Sequence, residues 1–435
     1  MFTVKESSDV FDTDIIKEAI KYVEDLVPTY EKLQRYYDGE HDIIERAKSE
    51  DILANTRTVV NHASYITDIN TGFMVGKAIQ YDNPSNEFDK IKEAYDRQEI
   101  EFEDNSIAED LSKFGVAYEI NFIDEKVPYS KVVSPKNCVV IYDDSFLHRK
   151  IGAVIFTSKN GDSYEDIKVY SLTKRKQFSG KKDVLKTIGE EELHGFLQVP
   201  IVEYINNQSL KGDYKDVIYL IDAYNTLQSD RINDKQQLVA ALLLFYGMGL
   251  EDEQLEKAKA SRVISKLPKD AKVEYLTKQL DEVSVDVLRA SIEADIHKIS
   301  KTPNLSDKEF AGNSSGVAIV YKLLAFFKNI SKKERYFRKG LMDRLQLYSE
   351  YFKILGGADD KVLETRITFT HEIPKNDYEV SQMLLNLWGK VDAETLIGQL
   401  SFIDDPTAVI EKVGKEQEEL LKTSSIMFGE DKPNE

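Results

Sequence analysis

The stretch DEVSVDVLRASIEADIHKISKTPNLSDKEFAGNSSGVAIVYKLLAFFKNISKKERYFRKGLMDR, residues 281–344, contains the three signals that organise the chain. In its first part, Asp281–Lys301, residues Val285, Leu288, Ile292, Ile296 and Ile299 fall on one stripe, a spacing that predicts a helix. Pro303 ends it, because a residue that precedes proline is driven out of the helical region. Asn304–Ser315 is polar, contains Gly312 and reads as an exposed loop. The helical period then returns at Val317 and runs to Leu355, the longest such stretch in the chain, until Gly356-Gly357 stops it.

Upstream, Asp216–Val239 is helical again, with Val217, Leu220, Ile221, Tyr224, Leu227 and Ile232 tracing one face. Between this helix and Asp281 lies a mixed insert, Ala240–Gln279, with strand-like Arg262–Leu267 and Lys272–Leu276 around the turn Pro268-Lys269-Asp270. Two amphipathic helices thus flank a small insert, and a polar loop then leads into the longest helix.

Further toward the N-terminus the period is two. Gly115–Asp124 alternates apolar and polar residues as a half-buried strand does. Val132–Val133, Val139–Tyr142, Ile151–Thr157, Ile167–Leu172 and Ile201–Tyr204 continue as short strands. Asp143-Asp144-Ser145, Asn160-Gly161-Asp162 and Ser179-Gly180 read as turns. Helices are expected before them: Asp14–Tyr37 with a kink or restart at Pro28, Thr58–Gly76, Glu87–Gln98 and Phe102–Leu111, with Asn83-Pro84-Ser85-Asn86 as a loop. At the other end Ile367–Thr370 is a short strand, Tyr378–Leu400 and Thr407–Leu421 are helices, and the last dozen residues read as frayed. The class is α+β and helix-rich.

The composition is globular, with 41% hydrophobic and 31% charged residues in 435. The net charge of −19 is wrong for a protein that grips nucleic acid with its whole surface. One cysteine, Cys138, rules out an internal disulfide framework and suits a reducing cytoplasm. Met1–Val10 lacks the apolar core of a signal peptide, and Leu238–Tyr246 is too short to span a bilayer, so no membrane is expected.

Catalytic motifs fail one by one. Gly72-Phe-Met-Val-Gly76-Lys77 has three residues between its glycines where a phosphate loop has four, and Ala78 stands where Ser or Thr is required. It reads as a helix end capped by Gly76. The six histidines show no i, i+4 pair, and with one cysteine they do not suggest zinc. Asp143-Asp144 at a strand end could hold a metal, although aspartate also favours turns. Cys138 reads as a buried structural thiol. No cofactor and no enzymatic activity are expected. Charge is uneven, however. Lys328, Lys332, Lys333, Arg335, Arg338, Lys339 and Arg344 lie in one helix against only Glu334 and Asp343. This basic band is either a solvated helix face or a surface that meets a second subunit or DNA.

Tyr36-Tyr37-Asp38-Gly39-Glu40-His41, then Asn61–Asp68 and Gly72–Lys77, resemble in order and spacing the siphophage-type portal proteins of tailed bacteriophages. Ser134-Pro135-Lys136-Asn137 with Val140-Ile141-Tyr142-Asp143, Gly195–Asn206 and Asp222–Asn225 extend the resemblance, which covers roughly Tyr36 to Ile373. It implies a portal fold with wing, stem, clip and crown. Residues 1–215 are the wing, 216–239 and 281–303 the stem helices, and 240–280 the clip. Residues 304–315 are a tunnel loop, 316–376 the long helix and return to the wing, 377–423 the crown, and 424–435 a flexible tail.

Function follows from the same resemblance. It implies a ring of twelve copies at one capsid vertex of the virion, made in the host bacterial cytoplasm. Double-stranded DNA is packaged and ejected through its channel. The implied partners are the terminase large subunit, head-completion and adaptor proteins, and the major capsid and scaffolding proteins. In the tunnel loop Asn304, Ser306, Asp307, Lys308, Glu309 and Asn313 are expected to face DNA, with Lys308 on the phosphate backbone. Lys308→Ala is then expected to change DNA retention without breaking the ring. Two alternatives stand beside this reading: a metal-dependent enzyme on nucleic acid using Asp143 and Asp144, and another symmetric capsid or tail adaptor.

Overall fold

A computed structural model describes residues 1–47, 55–83, 88–158, 163–239, 242–246, 272–276, 282–306, 316–356, 360–371 and 377–398, with 400, 403, 407, 409–410 and 412–416. The chain divides into two compact bodies. One comprises Met1–Asn304 with Ala325–His371, the other Leu305–Leu324 with Glu372–Glu435.

The first body opens with a short strand β1 (Phe2–Val4) and two helices, α1 (Thr13–Glu24) and α2 (Val27–Tyr37). The restart expected at Pro28 is present, with the proline in the first turn of α2, where its missing N–H costs nothing. The chain continues through α3 (His62–Val75), β2 (Gln80–Asp82), α4 (Asp89–Gln98) and α5 (Ile100–Phe114). Eight strands follow: β3 (Val116–Asp124), β4 (Val127–Val133), β5 (Cys138–Asp143), β6 (Lys150–Ser158), β7 (Ser163–Tyr170), β8 (Lys174–Lys181), β9 (Val184–Leu193) and β10 (Ile201–Ile205). Then come α6 (Ile218–Val239), β11 (Leu242–Tyr246), β12 (Lys272–Leu276), α7 (Glu282–Ser300), α8 (Gly316–Ile354), of which the part up to Leu324 belongs to the second body, and β13 (Arg366–Thr368).

The strands form a six-stranded sheet ordered β1-β5-β6-β7-β8-β9 and a three-stranded sheet ordered β10-β3-β4. Every residue of β5 is buried, because each of its faces has a cover. Val139 and Ile141 point to α1, whose Ile16, Ala19, Ile20 and Val23 recur at helical spacing. Cys138, Val140 and Tyr142 point the other way, onto Val116, Tyr118 and Ile201 of the smaller sheet. That sheet's far face, Ala117, Val202 and Tyr204, meets α5 and α8 through Ile107, Leu111, Phe337 and Leu341. Each fully buried aliphatic side chain in this stack contributes roughly 1.5–3 kcal/mol. At Gly340 of α8 a Cβ would lie 2.3 Å from the Tyr204 ring, so only glycine lets the long helix come this close.

Several expected boundaries move. Ser179-Gly180 is not a turn but the end of β8, opposite Lys186 and Leu185, and the chain reverses at 182–183. Gly180 has φ +143°, and its backbone closes onto the Val184 carbonyl where any Cβ would clash, which is why a turn-like dipeptide sits inside a strand. The helix expected from Thr58 begins only at His62, since residues 56–60 are extended and bonded elsewhere. The second acidic helix runs longer than expected, from Ile100 to Phe114. β1, β2 and β9 carry no pattern that marked them in advance. The Asn160-Gly161 turn, the Pro268 turn, Arg262–Leu267 and the C-terminal tail lie outside the described residues.

In the second body Tyr378–Leu400 is not one helix but two, α9 (Asp377–Leu387) and α10 (Ala393–Ile397). A turn through Gly389 separates them, and Asp392 starts the second by accepting a hydrogen bond from the Thr395 N–H at 2.8 Å. Among the described residues of the Thr407 segment, 407, 409–410 and 412–416 are helical.

Candidate functional site

The two amphipathic helices predicted around the insert are α6 and α7, and they lie antiparallel. Ile292 and Ile296 of α7 meet Leu220 and Ile221 of α6 and Val217 just before it. The polar partners are in step with them. Arg289 reaches Tyr224 OH at 3.5 Å and Glu293 at 2.8 Å, Arg231 lies 3.5 Å from Asp286, and Lys235 lies 3.1 Å from Glu282. Where the insert is described, β11 and β12 pair as an antiparallel ribbon, Leu242 opposite Leu276.

What holds α6 to the rest of the body is a ladder of short polar side chains. Asn225 Oδ1 accepts from Val60 N at 2.9 Å, Ser229 Oγ from Thr58 N at 2.9 Å, and Asn233 Oδ1 from Thr56 N at 2.7 Å. The match is geometric. Four residues of helix rise about 6 Å, and two residues of extended chain rise about 6.6 Å. Alternate N–H groups of residues 56–60 therefore meet every fourth side chain of α6. Asn and Ser are poor helix formers, so their use here at i, i+4 and i+8 reflects the bonds they make.

The motif residues that carry the portal resemblance converge on the same ladder. Tyr36 OH donates to Asp222 Oδ1 at 2.5 Å. The His41 ring is buried and stacks on Tyr36 at 4.5 Å. Its Nε2 donates to the Tyr36 carbonyl at 3.0 Å and its Nδ1 accepts from Asn225 Nδ2 at 2.8 Å. Burial lowers the His41 pKa, which keeps the ring in this neutral form. Asn61 donates to the Tyr37 carbonyl at 2.8 Å and caps α3 by accepting from Ser64 N at 3.0 Å. His62 packs edge-on against Tyr224 and His297, and burial pushes its pKa down to about 4. These residues are a structural knot that seats α6 on α2 and α3.

The chain leaving α7 is tied down up to the start of the polar loop. Tyr65 OH donates to the Pro303 carbonyl at 3.0 Å, Asn70 Nδ2 to Thr302 Oγ1 at 2.8 Å, and His297 Nδ1 to the Thr302 carbonyl at 3.0 Å. Asn304 donates to Glu293 at 3.0 Å, and Ser306 is exposed. Asp307, Lys308, Glu309 and Asn313 lie outside the described residues.

The basic band of α8 separates into two populations. Lys328, Lys332, Arg335 and Lys339 are exposed, and at intervals of four, three and four residues they share one helix face. Arg338 is half-buried, donating to the Ile367 carbonyl at 3.3 Å over the Phe369 ring. Lys333 turns inward instead and pairs with Asp213 at 2.6 Å, both side chains 5% exposed. Arg344 is fully buried between Tyr95 and Tyr204. Its Nε donates to Glu119 Oε2 at 3.0 Å and its Nη2 to Asp104 Oδ1 at 2.8 Å. Glu119 Oε1 also lies 2.8 Å from Nη2, off the N–H direction, so that contact is ionic and not a hydrogen bond. Burial pushes the Asp104 pKa up to about 6 against the pull of the guanidinium. Neither Lys333 nor Arg344 is marked in the sequence as different from its exposed neighbours; only a count of the helical period against known acidic partners could have separated them.

Asp143 serves its turn. It accepts from Ser145 Oγ at 2.6 Å and Arg149 N at 2.9 Å, and the Ser145 bond holds its pKa below the ordinary value. Asp144 accepts from Glu6 N at 3.2 Å. Among the described residues no three His, Cys, Asp or Glu side chains group as metal ligands. Cys138 is buried, which raises its thiol pKa.

Three comparisons bear on identity. The portal protein of Bacillus phage SPP1 is 24% identical over 439 aligned residues, covering 91% of this chain and 85% of that one. The portal protein of Clostridium phage phiCD119 is 25% identical over 227 residues, 49% of this chain and 47% of that one. A chain from the neck of an empty GTA particle, computed with C6 symmetry, superposes with a TM-score of 0.47 at 11% identity over 79% of this chain and 88% of its own. The profile of the family described as "Phage portal protein, SPP1 Gp6-like" matches residues 17–423, so this chain belongs to the SPP1-type phage portal proteins.

Proposed function

We propose that twelve copies of this chain close into a ring at one vertex of the capsid and that double-stranded DNA passes through the central channel, inward during packaging and outward during ejection. Portal proteins are structural components of the virion, and the finer assignments extend that family role. The wing is residues 1–215. The stem is α6 with α7, within 216–239 and 281–303. The clip is 240–280, the tunnel loop 304–315, the long helix and return to the wing 316–376, and the crown 377–423. The clip receives the head-completion and adaptor proteins, and the terminase large subunit is a further partner of the ring. The major capsid and scaffolding proteins are the ring's partners at the capsid vertex.

The observation that carries this reading is the antiparallel α6/α7 pair, bracketing the β11–β12 ribbon, in a chain of the portal family. A conduit needs rigid walls that do not hold DNA. A chain of net charge −19 disfavours the Lys/Arg neutralisation on which tight phosphate binding depends. Among the described residues no helix is long and apolar enough to cross a membrane. The test is the mass of the purified protein by light scattering, with negative-stain images of the same peak. A ring of about twelve subunits with a central hole is expected. A monomer at every salt concentration, with or without capsid proteins, refutes the ring.

A further inference from the structure

Around Arg344 several polar atoms are left over once the direct bonds are counted. Of the donors on its guanidinium, Nε serves Glu119 Oε2 and Nη2 serves Asp104 Oδ1. Nη1 is buried and has no hydrogen-bond partner among the described residues. The same holds for the Tyr81 hydroxyl, the Tyr95 hydroxyl and Glu119 Oε1, whose 2.8 Å approach to Nη2 lies off the N–H direction. Arg344 and Glu119 are fully buried, and Tyr95 is 3% exposed. The four atoms belong to four elements, β2, α4, β3 and α8, that converge here. The Tyr81 and Tyr95 rings meet edge-on at 5.4 Å, and the Arg344 guanidinium carbon lies 5.8 Å from the centre of the Tyr95 ring. The Tyr81 hydroxyl feels the same charges: burial pushes its pKa far up, Asp104 and Glu119 add to that, and Arg344 pulls it back.

We propose that this cluster is an internal hydration site, where ordered water accepts from Arg344 Nη1 and the tyrosine hydroxyls and donates to Glu119 Oε1. Buried polar groups in a folded protein are paired, with ordered water where no protein group serves. The mixture of atoms names the occupant. A cation would face the guanidinium, and an anion would face Glu119 and Asp104. Water alone both accepts and donates, and a buried one makes about three hydrogen bonds. Direct closure is not enough. A tyrosine hydroxyl turned onto Nη1 would still leave the other hydroxyl and Glu119 Oε1 without partners. The water joins β2 and α4 to β3 and α8, so it helps fasten the long helix to the small sheet beneath it. The inference concerns the packing inside one copy and does not rest on the ring reading.

The test is a crystal structure or cryo-EM map of the full chain fine enough to show water. It is read together with urea denaturation of Tyr81→Phe, Tyr95→Phe and the double variant at one protein concentration. The map is expected to show a peak within hydrogen-bond distance of Arg344 Nη1, Glu119 Oε1 and a tyrosine hydroxyl. Each single variant is expected to lower the urea midpoint, and the double variant to lower it by less than the sum, because the two hydroxyls share their solvent partner. A map with no such peak, or with the four atoms bonded directly to protein groups, overturns the site. So does a midpoint that stays or rises in either single variant, since removing a buried hydroxyl that has no partner is neutral or stabilising. A double variant whose loss equals the sum gives the hydroxyls separate partners and overturns the shared site as well.

Discussion

Arg344→Met is a sharp probe of the buried network, because its cost should depend on pH in a calculable way. The substitution keeps most of the packed volume between Tyr95 and Tyr204 but leaves Asp104 and Glu119 without their cation. A stranded carboxylate need not stay charged. It can take up a proton, and that sets a ceiling on the penalty. Protonating an ordinary aspartate of pKa 3.8 at pH 7 costs about 4 kcal/mol, at roughly 1.4 kcal/mol per unit. Asp104 already stands at about 6 in the folded protein, so about 3 kcal/mol of that is already present in the native state. Only about 1 kcal/mol can be added. With Glu119 stranded as well, the variant should lose roughly 3–5 kcal/mol at pH 7, the range typical of breaking a buried ion pair.

The sign of the pH dependence follows. A carboxyl whose folded pKa is raised favours the folded state below its unfolded value and loses that contribution as pH rises through the folded value. At pH 5 Asp104 is already mostly protonated, so its share of the penalty is gone. Urea denaturation of wild type and variant, at one protein concentration and at pH 5, 6 and 7, gives the difference directly. The expected penalty is about 1 kcal/mol smaller at pH 5 than at pH 7. A penalty that stays constant across that range refutes the argument, because the loss would then come from packing and not from stranded charge.

The neighbouring cations of α8 offer a contrast. Lys333→Met strands the buried Asp213 and is expected to cost roughly 3–5 kcal/mol, whereas Lys332→Ala on the exposed face should stay within about 0.5 kcal/mol. Equal shifts in denaturation midpoint for the two would contradict the inward and outward placement. At the ladder, Ser229→Ala removes the acceptor of the Thr58 N–H and is expected to cost about 1–3 kcal/mol. It should also speed limited proteolysis within 56–60 relative to cleavage elsewhere; an unchanged cleavage pattern with unchanged stability would mean that water replaces the hydroxyl freely.

The amino-acid sequence determined a good deal by itself. Stripes of period 3.6 placed α6, α7 and α8 within a few residues of their observed ends, because a helix that buries one face must repeat at that spacing whatever it packs against. Alternation located β3, β5, β6, β7 and β10 for the equivalent reason. The motif around Tyr36, His41 and Asn61 was visible as a pattern, since each of its bonds demands one particular side chain.

The tertiary structure decided what no local pattern encodes. β9 is almost wholly exposed, so no buried face disciplines its sequence, and only pairing with β8 makes it a strand. Residues 56–60 carry enough small and apolar side chains to pass for a helix start. They are extended because Asn225, Ser229 and Asn233, more than 160 residues away, accept their N–H groups. Lys333 and Arg344 look like members of a surface band until Asp213, Asp104 and Glu119 are brought beside them. Local spacing reports which face of an element is buried. Whether a cation on that element meets water or a carboxylate depends on residues distant in the chain, and folding alone brings those together.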